Sequence, residues 1–200
     1  MVKYIVLGAL MVLTVTTYSQ SFKLDKFSEK AHKTTQTGML VLSGWAMANI
    51  GTGFIAAGQT GDSDKYMHQM NAYFNIVNLA IAQAGYWGSR KRMKSPQSFS
   101  QAVKQQNSEE KTFLLNAGLD AAYILGGLYW AELGKRHPGE KKYFQFRGYG
   151  KSLVLQGGFL MIFDGLMYTI RHRQGKILFK QLENIDLAIV PGGAGLVYRF

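Results

Sequence analysis

The sequence predicts an all-α membrane protein, a four-transmembrane-helix bundle that follows a cleaved signal peptide and precedes a short C-terminal β-hairpin. Three observations support this fold class. Four apolar runs approach the about 20 residues that a spanning helix needs, and they cover roughly 38–58, 66–88, 112–133 and 150–170. The N-terminus has the order of charge, apolar run and small residues that is typical of a secretory signal. The C-terminus contains two strand-like runs around a turn.

Residues 1–19 have the pattern of a signal peptide. Lys3 supplies the positive charge, residues 4–15 form the apolar core, and Thr17 and Ser19 put small or hydroxylated residues before the cleavage point. Cleavage before Gln20 is therefore predicted, and the mature chain then begins outside the cytoplasm. An uncleaved signal anchor is the alternative.

The rest of the chain divides into three predicted segments. Residues 20–37 are basic and have their apolar residues near one helical face, which predicts an amphipathic lead-in at the membrane surface. A solvated arm is the alternative for this segment. Residues 38–173 hold the four predicted spans. Residues 174–200 are predicted to form the hairpin tail, because two strand-like runs flank the turn signal at 191–193.

Small residues recur four positions apart in the predicted spans. Gly44 and Ala48 form such a pair in the first span, and Gly118, Ala122 and Gly126 form a longer series in the third. Small side chains let helix backbones approach closely in membranes. These positions are therefore predicted to face neighbouring helices.

Each predicted span also carries polar residues at helical spacing, and antiparallel threading gives many of them similar depths in the bundle. Polar side chains are costly in lipid, so they are expected to face other helices. The predicted intramembrane polar layer consists of Asn49, Asn75, Asn78, Asn116, Asp120, Tyr123, Gln156, Asp164 and Tyr168.

Two interpretations of this layer remain open. It could be a hydrogen-bond network that fixes helix register, or a proton- or cation-binding site that uses Asp120 and Asp164. Arg171 lies two turns after Asp164 and is predicted to pair with it. Asp120 has no basic residue within one turn, which makes it the better candidate for a functional acid.

No catalytic residue, metal site or cofactor site is predicted, so an enzyme is not expected. Cysteine is absent, which excludes disulfides, thiolate metal sites and cysteine nucleophiles. The four histidines lack the spacing of an HExxH metal motif. Ser43 and Ser152 lack the glycines of a nucleophile elbow.

The formal net charge of +11 is spread over the predicted loops. The basic connection at 89–111 has no interleaved aromatic residues to stack on bases, so nucleic acid is not a predicted partner. Anionic membrane lipid is the simpler partner. Basic residues concentrate on the side that carries the mature N-terminus. This bias would place that side in the cytoplasm, whereas a cleaved signal would place it outside.

Three segments carry a resemblance to a known group: GMLVLSGWA at 38–46, LNAGLD at 115–120 and GYGKSLVLQGGF at 148–159. Over about residues 35–175 the chain resembles an uncharacterised family of small Bacteroidota integral membrane proteins, a domain of unknown function. A signal ending just before glutamine is also similar to that group. The resemblance implies a location in the cell envelope, and it implies no activity or site residues.

The predicted protein is therefore a bacterial cell-envelope integral membrane protein, in the inner rather than the outer membrane. Its predicted role is non-enzymatic, namely structure or interaction with a protein partner or lipid, and the C-terminal hairpin is the predicted element for a protein partner. The alternative is a small-solute, ion or proton-coupled carrier or channel that uses Asp120 and Asp164. The sequence does not indicate an oligomeric state.

Overall fold

The computed structural model describes the backbone of residues 2–183, 185–190 and 193–198, and the side chains of residues 24–180. Four long helices are followed by two short strands. In chain order the elements are α1 (Val2–Gln59), α2 (Asp62–Met93), α3 (Phe99–Gly134), α4 (Lys141–Glu183), β1 (Ile185–Val190) and β2 (Gly193–Tyr198).

The helical bundle agrees with the predicted fold class, but the prediction of four transmembrane helices is corrected. Among the described residues, two helices are long and apolar enough to cross a membrane, Leu24–Gln59 within α1 and Lys141–Lys180 within α4. α2 and α3 do not contain a segment that is both long enough and apolar enough. The buried face of α2 is rich in asparagine, and its last turn holds three basic residues. These polar residues lower the hydropathy of α2 although it packs into the same bundle.

The helices are also longer than predicted. α1 runs without a break through the predicted signal segment and lead-in, from Val2 to Gln59. The backbone therefore shows no boundary at Gln20, and cleavage there stays a prediction. Most of the predicted connection at 89–111 is helical, because α2 continues to Met93 and α3 already begins at Phe99.

A capping box explains the early start of α3. The backbone N–H of Gln101 donates to Ser98 Oγ (3.3 Å), and the backbone N–H of Ser98 donates to Gln101 Oε1 (2.9 Å). These reciprocal bonds satisfy two backbone donors that a helix start leaves unpaired. The sequence pattern Ser-x-x-Gln was a local signal for this boundary.

The predicted hairpin tail over 174–200 is corrected as well. The helical bundle extends further than predicted, since α4 ends at Glu183 and residues 174–183 form its last turns. Beyond α4, β1 and β2 pair antiparallel in a register from Ile185 opposite Tyr198 to Val190 opposite Gly193. The side chains of both strands lie outside the described set, so partner binding by this tail stays a prediction.

The helices pack as α1 on α2, α2 on α4, and α4 on α3, with a smaller contact between α1 and α4. α3 packs mainly on α4, which leaves a gap between α2 and α3. An apolar cluster joins all four helices at the centre and contains Met39, Leu42, Ala82, Phe113, Leu160, Phe163 and Met167.

The backbones of α3 and α4 approach each other closely at Gly127 and Gly150. A Cβ atom at Gly127 would lie 2.7 Å from the carbonyl oxygen of Gly150, and one at Gly150 would clash with the carbonyl oxygen of Gly127. The predicted series Gly118, Ala122 and Gly126 does not make this contact, because Gly118 and Gly126 face open space. The packed face is therefore one residue, or about 100° of helix rotation, away from the predicted one.

Beside the apolar cluster, the bundle buries many polar side chains and exposes many large apolar ones. Residues such as Asn75, Gln106 and Gln156 are completely buried. Large apolar side chains are instead exposed on the outside of all four helices, and Leu115, Leu125 and Ile162 are each 67% exposed. Large exposed apolar areas on a folded protein mark contact with a membrane or a partner.

Candidate functional site

The first buried polar group joins α1, α2 and α4. Gln156 Nε2 donates to Asn49 Oδ1 (3.1 Å) and to Asn71 Oδ1 (3.1 Å). Trp45 Nε1 donates to Gln156 Oε1 (2.9 Å), and Ser152 Oγ donates to Asn71 Oδ1 (2.6 Å). We call these five residues the amide cluster. Their side chains use one another as partners, which is the expected arrangement for a network that fixes helix register.

Asn75 and Asn78 continue the amide cluster along α2. Asn75 Nδ2 donates to the backbone carbonyl oxygen of Asn71 (2.8 Å), and Asn78 Nδ2 donates to Asn75 Oδ1 (3.3 Å). Residues three or four apart lie on one face of a helix, so each asparagine can reach the next. This explains why α2 repeats asparagine at that spacing.

The second group is a pair of aspartates, which we call the carboxyl pair. Asp120 on α3 and Asp164 on α4 interact with each other, and Asn116 interacts with Asp164. Both acids are buried, with 2% and 5% of their surfaces exposed. Ionised carboxylates only accept hydrogen bonds, and two of them repel. The pair therefore needs a proton or another cation between its oxygens.

One oxygen of the carboxyl pair lacks a partner. Asp120 Oδ2 is fully buried and receives no hydrogen bond from the described residues. A buried polar atom without a donor carries a desolvation cost of about 1–3 kcal/mol, and more for a charged group. This oxygen differs from the amide groups of the first cluster, whose described bonds connect them to one another. It lies on a carboxyl group that interacts with a second one, that of Asp164.

The carboxyl pair lines a cleft between α2 and α3 with a volume of about 660 Å³, which we call the α2–α3 cleft. Asn78 and Asn116 line the same cleft. The walls contain Phe74 and Tyr123, whose rings meet edge to face with centroids 5.3 Å apart. Most of the remaining wall is apolar, and it includes Met39, Leu42, Val77, Ile81, Phe113, Leu119, Leu160 and Phe163.

The basic residue on the lining of this cleft is Arg92, and it lies next to an acid. Arg92 Nη2 is 3.8 Å from Glu109 Oε1, and both residues line the cleft. Glu109 is about three helical turns, or about 16 Å, from Asp120 along α3. Arg92 is therefore associated with Glu109 at one end of the cleft, away from the carboxyl pair.

Arg171 corrects one predicted contact. It was expected to pair with Asp164, but its Nε lies 3.0 Å from Glu109 Oε2, without the alignment of a hydrogen bond. Thr35 Oγ1 donates to the same Glu109 oxygen (2.9 Å). Gln105 Nε2 donates to Glu109 Oε1 (2.7 Å). Arg171 thus belongs to an ionic group around Glu109 and does not neutralise the carboxyl pair.

The described ring contact of Tyr168 is with His172 and not with the carboxyl pair. Its ring stacks on His172 with centroids 5.6 Å apart, and His172 Nδ1 is 3.3 Å from Glu110 Oε2. Gln106 Nε2 donates to Glu110 Oε1 (2.6 Å). Tyr168 therefore belongs with the ionic residues near the start of α3.

The predicted single polar layer consists of separate groups in the structure. The amide cluster and its extension along α2 contain Gln156, Asn49, Asn75 and Asn78. The carboxyl group contains Asn116, Asp120 and Asp164, and the cleft wall nearby contains Tyr123. Gln156 and Asp164 are separated by about 12 Å along α4, whereas Asn78 lines the same cleft as the carboxyl pair.

The sequence analysis missed Glu109 and Glu110 as members of a buried ionic group. Their local signal was two adjacent acids inside an otherwise basic segment. It also missed Trp45 and Ser152 as members of the amide cluster. Nothing local identifies these two, because their partners are on other helices.

Residues 41–165 match the profile of a family described as "Family of unknown function (DUF6992)". This range holds the amide cluster and the carboxyl pair. The match agrees with the resemblance to an uncharacterised family, and its description states neither an organism group nor a cellular location. No curated protein and no solved structure matches the chain.

Proposed function

We propose that this chain, which belongs to the DUF6992 family of unknown function, is an integral membrane protein that binds a small organic cation in the α2–α3 cleft. The carboxyl pair with its unpartnered Asp120 oxygen is the observation that carries the proposal. The role is non-enzymatic, as the sequence analysis expected. It differs from that expectation in the partner, which is a small molecule.

The distribution of polarity supports the membrane part of the proposal. α1 and α4 each contain a segment long and apolar enough to span, and all four helices expose large apolar side chains. Lipid can cover such a surface without the cost that water imposes. α2 and α3 bury their polar faces against α1 and α4, so their outer faces remain apolar although their overall hydropathy is lower.

The chemistry of the α2–α3 cleft supports a cation of organic type. Two adjacent carboxyl groups provide acceptors for an ammonium group, and charge-assisted hydrogen bonds are stronger than neutral ones. The aromatic faces of Phe74 and Tyr123 provide additional attraction for a cation. The volume of about 660 Å³ is within the range of ordinary small-molecule sites. The apolar walls suit a hydrocarbon body attached to the charged group.

The charges around the cleft support a cation over an anion. Arg92 on the lining pairs with Glu109, which in turn pairs with the buried Arg171. Asp120 and Asp164 have no comparable pairing with a described lysine or arginine. The electrostatic potential at the carboxyl pair is therefore expected to be negative whenever either acid is ionised.

Calorimetry on the purified protein in detergent micelles tests this proposal with three probes of matched shape. Cyclohexylammonium should bind, whereas cyclohexanol and cyclohexanecarboxylate should bind at least about tenfold more weakly, since a hydrogen bond to a charged group contributes about 1.5–3 kcal/mol. D120N and D164N should each weaken the binding of the cation by a similar factor. D64N is the matched control, because Asp64 is an exposed acid whose described partner is Lys151.

Two results would contradict the proposal. The first is equal binding of the neutral probe, which would show that the cleft only accepts hydrocarbon. The second is unchanged cation binding in both D120N and D164N. If no probe binds and both variants merely unfold more easily, the carboxyl pair serves helix register instead. If the cation does bind, its uptake into liposomes would distinguish a carrier from a protein that only binds.

A further inference from the structure

A second cavity lies between α1 and α4 on a different face of the bundle. Its volume is about 730 Å³. It lies between two helices that make little contact with each other. We call it the α1–α4 groove. It shares Phe163 with the lining of the α2–α3 cleft, but neither Asp120 nor Asp164 lines it. Its ligand would therefore not contact the carboxyl pair.

The two ends of the α1–α4 groove differ in chemistry. At one end the lining is apolar, with Val41 on α1 and Leu166 and Ile170 on α4. At the other end, α1 contributes Lys26, Lys30 and Lys33. The lysines recur at intervals of three and four residues, so they lie along the same face of α1 as the groove. The groove is thus apolar along one part and basic at one end.

The described acid that lines this end pairs with one of the three lysines. Glu29 also lines the groove and lies 2.6 Å from Lys33 Nζ. Among the described residues that line this end, Lys30 forms no ion pair, so its charge is available to a ligand. The described residues of α4 that line the groove are all apolar and add no charge. The basic end is therefore complementary to an anionic group.

The dimensions of the groove fit one half of a bilayer. Val41 and Lys30 are separated by about 16 Å along α1, at about 1.5 Å per residue. Half of the hydrocarbon core of a bilayer is about 15 Å thick. When the apolar end lies near the membrane centre, the lysines therefore reach the level of the lipid headgroups. Lysine side chains can extend further toward the headgroups from that position.

We infer that the α1–α4 groove binds one anionic phospholipid, with an acyl chain along Val41, Leu166 and Ile170 and the phosphate group at the lysines. The inference rests on the membrane part of the proposed function and does not depend on cation binding in the α2–α3 cleft. Basic residues near a membrane surface attract anionic lipid, and an apolar groove excludes ligands that lack a hydrocarbon chain. The combination selects a phospholipid over free phosphate.

Native mass spectrometry of the protein released from mixed micelles tests the inference. The micelles contain equal amounts of phosphatidylglycerol and phosphatidylcholine, and the readout is the lipid that remains bound. One phosphatidylglycerol should be retained in preference to phosphatidylcholine. K26Q/K30Q/K33Q should remove this preference, because each basic residue contributes about a fivefold factor in affinity for anionic lipid. Free glycerophosphate should not compete for the site.

Two matched variants separate the groove from general surface charge. K94Q/K104Q/K111Q removes the same charge from exposed positions outside the groove and should keep the preference. V41W fills the apolar part without changing any charge and should reduce retention of the lipid. The inference is overturned if K94Q/K104Q/K111Q abolishes the preference equally, or if V41W retains lipid like the original protein. Calorimetry with cyclohexylammonium on K26Q/K30Q/K33Q should remain unchanged, so the two proposals can fail separately.

Discussion

Arg171 and Glu109 form an ion pair between α4 and α3 with 3.0 Å between Nε and Oε2, and the arginine side chain is only 1% exposed. The two partners differ in what else they contact. Glu109 also has Thr35, Gln105 and Arg92 as partners. The described side-chain hydrogen bond of Arg171 goes to Gln174 Oε1 (2.8 Å). Loss of one partner should therefore not have the same effect as loss of the other.

We expect E109L to destabilise the protein more than R171M. E109L leaves a buried guanidinium group without its acid, and breaking a buried ion pair from one side costs about 3–5 kcal/mol. R171M leaves Glu109 with three other partners. The double variant E109L/R171M should be more stable than E109L alone, because apolar replacement of a whole pair is often tolerated. Unfolding in mixed micelles measures all three, and additive effects in the double variant would contradict the coupling.

Gly126 and Gly127 provide a matched pair of substitutions on α3. In G127A the new Cβ atom would lie 2.7 Å from the carbonyl oxygen of Gly150 and 2.9 Å from Leu153 Cβ. Overpacking of this kind costs about 1–3 kcal/mol. In G126A the new Cβ atom meets open space, and alanine gains up to about 1 kcal/mol of helix propensity. Thermal unfolding should therefore move in opposite directions for the two variants, and equal shifts would show that this helix contact is not tight.

Gln156 is the centre of the amide cluster, so Q156L should affect three helices. It removes the acceptor of Trp45 Nε1 and the donor to Asn49 and Asn71. Each lost contact between membrane helices contributes about 0.6–2 kcal/mol, and the unpaired groups remain buried. Q36L is the control, because the hydrogen bond described for the Gln36 side chain is a long 3.8 Å contact with the sulfur of Met93. A Q156L protein as stable as Q36L would show that the cluster contributes little to stability.

Asp64 at the start of α2 lies outside the predicted spans and connects to Lys151 on α4. The hydrogen bond from Lys151 Nζ (2.9 Å), followed by its charge, lowers the pKa of Asp64 below its ordinary value of 3.8. Because the folded-state pKa is depressed, the stabilisation is present above pH 3.8 and is lost as the pH falls through the lowered pKa. Both side chains are substantially exposed, so the effect on stability should be small.

Titration of isotope-labelled aspartate by NMR measures this pKa directly. K151M should return the midpoint of Asp64 toward 3.8, because the two largest causes of the lowered pKa come from Lys151. K65M removes an adjacent lysine that forms no described ion pair with Asp64, and it should leave the midpoint low. A midpoint near the ordinary value in the unchanged protein would contradict the contact between α2 and α4 at this end.

Features that produce a regular pattern of residues along the chain could be predicted from the sequence. The asparagine spacing on α2 indicated one helix face, and the count along antiparallel helices put Asp120 and Asp164 at similar depths. Apolar runs identified the centre of each helix but not its ends. The helices extend further because their polar ends contain few residues that stop a helix, with three prolines in the whole chain.

Contacts that depend on helix rotation could not be predicted in the same way. Gly126 and Gly127 differ by about 100° around α3, and no count of small residues decides which one faces α4. The pairing of Arg171 with Glu109 depends on the positions of four helices around one point. An expectation based on distance along one helix therefore selected Asp164, which is nearer in sequence but not the residue that Arg171 contacts.

The packing of α3 mainly on α4 has a consequence for how the protein is made. α1 and α2 are synthesised first and can assemble as a pair, whereas α3 emerges before the helix on which it packs. Asp120 is synthesised before Asp164, and the two meet only when α4 is complete. A nascent chain that stops before α4 would thus carry an unpaired acid on a helix without its main neighbour. Such a chain should be a substrate for membrane quality control. Synthesis of α4 is therefore the step that completes the site.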